Sequence, residues 1–361
     1  MLTSSSASLN ILIFAIPTVS FLITLFLVPF AKWIGEKYKL SDKPNKRKLH
    51  KTSIVRLGGV AIFIGFFAGL ASILLFGNTE NLSFENISLY GRILLIMSSA
   101  IFFLGLFDDV FKLSPAFRLT FQFLVASFAW SNNLRINSLD LSLISDNYAN
   151  LQIPSFFSYL ITIFWIVGII NAINWMDGAD GLVTGLFIIA SGSFLLIEYS
   201  NDVYYLSCIL SSLIGAALAF LIFNYNPAKI LMGDCGSYFL GFHLATVSFL
   251  SSTDSNVPLN VTSVLLIMFI PIADMIFVIF NRLINGKLPF YPDQTHLHHR
   301  LISSGLNQRQ TVRIIWSLSL LLSSIALVIE GKINTIFIFY SLIIHCLCNV
   351  KIRKFIKTIL C

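Results

Sequence analysis

Apolar runs of roughly 17 to 25 residues, nearly free of charge, succeed one another along the chain and are cut by short polar segments. Runs of that length span a bilayer core as helices. They fall at 11–31, 57–76, 91–107, 116–133, 154–170, 181–197, 204–223, 236–251, 261–281, 312–329 and 333–350. The pattern predicts an all-α integral membrane protein, a single polytopic domain over 1–361 with about eleven transmembrane helices. The third and eighth runs are short for a full crossing and are expected to tilt or to pack internally. Residues 1–31 carry no charge, so no basic signal-peptide region precedes the first run, which is read as a retained span.

Composition excludes the main competing class. Charged residues make up 11% and hydrophobic residues 56% of the 361 positions, with 34 Phe. A water-facing surface needs about 25% charged residues, so a large soluble enzyme is ruled out. The five cysteines form neither a CxxC pair nor a zinc pattern.

Charge then orients the bundle. With the N-terminus outside, the segments 32–56, 108–118, 171–181, 224–235, 282–313 and 351–361 are cytoplasmic and hold 21 of the 24 Lys and Arg residues. The C-terminal tail is then also cytoplasmic. Asp108, Asp109, Asp177, Asp180, Asp234 and Asp274 gather at this same face, as do all histidines but His243 and His345. The expected site is a cytoplasmic cleft.

Four runs carry candidate chemistry. Asp108 and Asp109 end the third span, and adjacent carboxylates beside lipid are costly unless paired, metal-bound or wet. Lys112, one turn on, is the expected partner of Asp108. Such a pair suits a general base with a charge-tuning neighbour. Asn171, Asn174, Asp177 and Asp180 step by three, while Gly178 and Gly181 allow close backbone approach. Their hard oxygens suit Mg²⁺ beside phosphate. Asp234 opens a helix after Gly233, where backbone N–H groups favour anions. His296, His298, His299 and Arg300, with Arg282 upstream, form a dense donor cluster whose hard-oxygen neighbours favour anion binding over zinc. Asp274 is an intramembrane acid and an expected partner for Arg282. The basic loop around Lys48 and His50, with the Arg56-Leu-Gly-Gly59 run that follows it, reads either as a nonspecific attraction for anionic headgroups or as a phosphate clamp.

From Asp42 to Leu301 these runs, in this order, resemble the polyprenyl-phosphate N-acetylhexosamine-1-phosphate transferases (glycosyltransferase family 4). The matching elements are the Asp42-x-Pro-Asn-x-Arg-Lys-x-His50 loop, Asp108-Asp109, Asn171-x-x-Asn-x-x-Asp-Gly-x-Asp-Gly-Leu182, Met232-Gly-Asp-x-Gly-Ser237 and His296-x-His-His299. The resemblance implies ten or eleven helices, Mg²⁺ (or Mn²⁺) as cofactor, and attack by undecaprenyl (polyprenyl) phosphate on a UDP-N-acetylhexosamine with release of UMP. It implies Asp108 as the base with Asp109 beside it, Asn174 and Asp234 as metal ligands with Asp177 in the same shell, and Asp180 near the uracil. It gives the histidines and Arg300 the diphosphate and sugar. The His-Leu-His-His and Arg-Lys-Leu-His runs look more like the UDP-GlcNAc branch than the UDP-MurNAc-pentapeptide branch. The sequence departs from many members at Leu231, where they carry Phe. The resemblance implies a bacterial inner-membrane location, with no nucleic-acid partner and a homodimer as a compatible state. The competing class is an ion-coupled secondary transporter, which would hold its acids near mid-membrane.

Overall fold

The computed structural model describes residues 2–42, 53–76, 89–141, 151–201, 203–254, 260–288 and 295–348. In chain order these give α1 (Leu2–Lys37), β1 (Ser41–Asp42), β2 (Ile54–Val55), α2 (Gly58–Phe76), α3 (Leu89–Phe111) and α4 (Pro115–Ser131). The minimal strands β3 (Ser138–Leu139) and β4 (Leu151–Gln152) precede α5 (Ser155–Met176), α6 (Leu182–Ser200), α7 (Tyr204–Asn224) and α8 (Gly233–Asp254). Then come α9 (Val261–Ile267), α10 (Phe269–Ile284), α11 (Leu297–Ser303), α12 (Gln308–Ile329) and α13 (Ile336–Cys348). Each strand pair is a two-residue antiparallel ladder.

Among the described residues the body of each of the eleven apolar runs lies on helix. Six helices among the described residues are long and apolar enough to cross a membrane alone, and α9 and α10 together give a seventh crossing if the bent pair is one span. The molecule is therefore a helical membrane protein. Large apolar side chains such as Phe26, Phe103, Phe164 and Phe280 stand exposed around it, as a lipid-facing surface requires.

Several helices run past their expected bounds, α1 and α5 among them, and three differences have a local reason. The third run is longer than its apolar stretch, because α3 continues through Asp108 and Asp109 to Phe111. The ninth run is two helices bent by 76° at Met268. Pro271 lacks an N–H and its ring crowds the carbonyl of Ile267, so one straight helix cannot pass. Finally, α12 starts at Gln308, ahead of its apolar run, because Asn307 and Gln310 form a reciprocal capping box.

Helix α8 is the axis of the bundle. It packs against α3, α5, α2 and α6, and its Phe239, Phe242 and His243 are fully buried. Close approach depends on small residues. Gly105 on α3 lies against the backbone of Asp234 and Cys235, where a Cβ would stand 2.5 Å from the Asp234 carbonyl oxygen. Gly59, at the start of α2, meets Gly236 with no room for a side chain. Small residues at such contacts let helices in lipid pack backbone to backbone.

Candidate active site

The segment before α2 runs alongside the segment before α8. Leu231 N–H donates to the Val55 carbonyl at 2.8 Å, Gly58 N–H to Leu231 at 3.0 Å and Gly59 N–H to Met232 at 2.8 Å. This pairing sets Arg56 beside the first turn of α8, where Asp234 lies. The Arg56 guanidinium contacts Asp234 Oδ1 at 3.0 Å and Asp109 Oδ1 at 3.4 Å. Burial alone would lower its pKa, but the carboxylates of Asp234 and Asp109 raise it above the ordinary value.

Asp109 reaches across from the last turn of α3. Its Oδ1 accepts from the N–H of Asp234 and its Oδ2 from that of Cys235, both at 2.9 Å. The anion position expected at this helix N-terminus is thus filled by a carboxylate of the chain itself. Gly233 has φ 78°, and a Cβ there would stand 2.6 Å from Asp109 Oδ2, so only glycine admits this arrangement.

Asp108 points to a different set of donors. Arg118 Nη1 donates to its Oδ2 at 2.8 Å, the Tyr238 hydroxyl to the same oxygen at 3.2 Å, and Leu113 N–H to Oδ1 at 2.9 Å. The partner is Arg118, ten residues on, and not Lys112 as helical spacing suggested. Lys112 terminates α3 in a left-handed conformation, φ 53°, which ends the helical register on which that expectation rested. Asp108, Asp109, Arg56, Lys112, Arg118 and Asp234 line one cleft of about 670 Å³, with Lys39 and Asp42 at its edge.

The α5 terminus joins the same cluster. Asn174 Nδ2 donates to Asp234 Oδ1 at 2.7 Å and to Ser237 Oγ at 2.9 Å. Asn171, one turn earlier, instead donates to Gln122 on α4 at 2.6 Å and serves packing. Asp177 caps the helix. Burial pushes its carboxyl up to about 7; Arg56 pulls it down, while Asp234, Asp109 and Asp180 push it up. Asp180 also braces the segment before α8, accepting from Asn226 Nδ2 at 2.8 Å and Ala228 N–H at 3.0 Å.

The histidine cluster docks on this terminus. Asp274 Oδ2 bonds His296 Nδ1 at 2.8 Å and its Oδ1 accepts from Leu297 N–H, so Asp274 anchors the start of α11 and its expected pairing with Arg282 is replaced. Arg282 stacks on Trp175 at 5.0 Å. His298 is fully buried, and a Cβ at Gly178 would stand 2.6 Å from its Nε2. Neither ring nitrogen of His298 has a hydrogen-bond partner among the described residues. Burial lowers its pKa to about 3, with His299 and His296 adding to the effect, so it packs against the α5 terminus as a neutral ring. His299 tilts against His298 with ring centroids 4.3 Å apart, while Arg300 lies over Phe277 at 4.0 Å, on the flank of the cluster. Lys48 and His50 lie outside the described residues.

Sequence reasoning passed over Arg118 and Tyr238, and read Arg56 only with the basic loop, as part of the phosphate-clamp alternative; the structure sets it on Asp109 and Asp234. Arg56 was legible from the Gly58-Gly59 pair beside it, whose close approach to another backbone carries the arginine with it. Nothing local marks Tyr238.

Among the described residues no group of three His, Cys, Asp or Glu side chains is arranged as a metal site. The oxygens nonetheless suit a hard cation. Asp109, Asp177 and Asp234 all lie close enough to Arg56 to act on its charge, and Asn174 and Asp234 keep further oxygens beyond their mutual hydrogen bond.

Residues 92–252 match the profile of glycosyl transferase family 4. The chain is 32% identical over 349 residues, 94% of each protein, to a probable undecaprenyl-phosphate N-acetylglucosaminyl 1-phosphate transferase of Bacillus subtilis (strain 168). It is 30% identical over 317 residues to the undecaprenyl-phosphate alpha-N-acetylglucosaminyl 1-phosphate transferase of Escherichia coli (strain K12), covering 86% of this chain and 82% of that one. A decaprenyl-phosphate N-acetylglucosaminephosphotransferase of Mycobacterium leprae (strain TN) is 28% identical over 319 residues, covering 82% and 78%. With likeness running over nearly its whole length, the chain belongs to glycosyl transferase family 4.

Proposed function

We propose that this enzyme transfers N-acetylglucosamine 1-phosphate from UDP-N-acetylglucosamine to undecaprenyl phosphate, releasing UMP, at the cytoplasmic face of a bacterial inner membrane. The observation that carries the reading is the meeting of Asp109, Arg56, Asp234 and Asn174 at three helix ends, with Asp108 in the same cleft. The GlcNAc donor follows the named substrates of the relatives, and the MurNAc-pentapeptide reading falls behind it. The acids sit at helix ends, the last turn of α3, the cap of α5 and the first turn of α8. That position disfavours an ion pathway through mid-membrane.

In the reaction, an oxygen of the lipid phosphate attacks the β-phosphorus of the UDP-sugar. The bond from that phosphorus to the bridging oxygen breaks, and UMP departs with the oxygen. Such a transfer needs positioning and charge neutralisation more than covalent help. Asp108 orients the incoming lipid phosphate and accepts its residual proton. Both oxygens of Asp108 and of Asp109 already accept hydrogen bonds. That engagement favours direct displacement over an aspartyl-phosphate intermediate. Asp234 and Asn174 would hold Mg²⁺, with Asp177 beside them, and the ion would supply charge stabilisation to the diphosphate. Neutral His298, with His296, His299, Arg300 and Arg282, forms the sugar and diphosphate side, Asp180 the nucleotide side, and Lys112 the lipid-phosphate side. Lys48 and His50 complete a basic mouth. The basic loops orient the chain with its N-terminus outside and its C-terminus inside. Eleven crossings follow if each apolar run spans. Purified protein with labelled UDP-GlcNAc and undecaprenyl phosphate should release UMP; absence of turnover contradicts the reading.

A further inference from the structure

Tyr238 is one of the largest fully buried side chains, and its ring belongs to the core of α8. Its hydroxyl does not. A buried phenol needs a partner, and this one donates to Asp108 Oδ2 at 3.2 Å, while Arg118 Nη1 reaches the phenol oxygen at 3.4 Å on its way to the same carboxylate. Tyr238 lies four residues after Asp234, one turn or about 6 Å along the helix axis. Between them Ser237 accepts from Asn174. A single turn of α8 therefore touches both halves of the site, Asp234 and Ser237 toward Asn174, and Tyr238 toward Asp108.

Asp108 sits on a different helix, in its last turn, where helices fray. Its other side-chain partner, Arg118, has a long chain and is part-exposed at 29%. The phenol belongs to the most enclosed residue of the three donors, a side chain 1% exposed. Support of this kind holds a reactive group within the narrow geometry that transfer demands.

We propose that Tyr238 is a positioning residue of the transfer reaction, locking Asp108 at a fixed separation from Asp234 through one turn of α8. The inference rests on the transfer activity proposed above. Removing the hydroxyl leaves the core volume intact, so Tyr238→Phe should fold as the wild type does. Its kcat should fall about tenfold, the scale of one hydrogen bond to a charged group, with both KM values within about twofold, a modestly lowered Tm and a protein still folded at the assay temperature. Tyr238→Phe should add nothing to Asp108→Asn in the double variant, since the two act as one unit.

The experiment is UMP release by purified protein in detergent, comparing wild type, Tyr238→Phe, Asp108→Asn and the double variant, with melting curves alongside. A wild-type kcat in Tyr238→Phe overturns the inference, as does activity lost only because the variant is unfolded at the assay temperature, or additive losses in the double variant. Wild-type protein without turnover overturns the transfer activity, and this inference with it.

Discussion

Asp109 closes the N-terminus of the helix that carries Asp234. Its two carboxylate oxygens take the N–H groups of Asp234 and Cys235, each at 2.9 Å, and Arg56 lies against both acids. One member of the Asp-Asp pair is therefore committed to holding α8, while the other faces Arg118 and Tyr238. Neighbours in sequence have separate tasks.

Asp109→Ala orphans two buried N–H groups, so stability should fall by about 3 kcal/mol, read as a lower denaturation midpoint in detergent. Asp234 shifts with its helix, and activity should drop at least about 100-fold, as misplacement of a site by an ångström does. Wild-type stability in this variant would show that α8 does not depend on the cap.

Gly178→Ala should act on activity while sparing the fold. The added Cβ meets His298 Nε2 at 2.6 Å and must displace that ring, so turnover should fall about tenfold or more with little change in Tm. Gly192→Ala is the control. Nothing lies within 4 Å of its added Cβ, and replacing a helical glycine there should stabilise by up to about 1 kcal/mol with activity unchanged.

The neutral state of His298 sets a pH dependence. The unfolded chain takes a proton at this residue near 6.5, the folded protein only near 3. Between those values the unfolded state binds more protons, so stability falls as pH drops, by up to about 1.4 kcal/mol per pH unit. Melting temperatures from pH 7 to pH 5 should fall more steeply for wild type than for His298→Gln. Parallel slopes would mean that His298 takes its proton in the folded state as well.

How much of this was legible in the sequence follows from the range of the forces involved. Apolar runs mark helices because burial in lipid is decided residue by residue, and among the described residues the body of each run lies on helix. Helix ends are less legible. The apolar stretch of α3 stops at Phe107, but backbone hydrogen bonding carries the helix to Phe111. At α12 the signal was present, in Asn307 and Gln310 three apart, and so was Pro271 at the break between α9 and α10. The acids of the candidate site were visible because charge beside lipid is conspicuous. Their partners were not. Tyr238 and Asp108 are 130 residues apart, and Tyr238 reads as one more aromatic in a greasy helix. Lys112 looked like the partner of Asp108 only on the assumption that α3 continued.

The central claim is that Asp234, gathered with Asn174, Asp177 and Arg56, grips a divalent ion and diphosphate for transfer to a lipid phosphate. UMP release from UDP-GlcNAc by the purified wild type and by Asp234→Asn, each with magnesium and with EDTA, tests it most directly. The account predicts turnover only in the wild type with magnesium, lost on chelation and restored by adding the metal back. Asp234→Asn turning over at the wild-type rate, or wild-type turnover indifferent to EDTA, would contradict it.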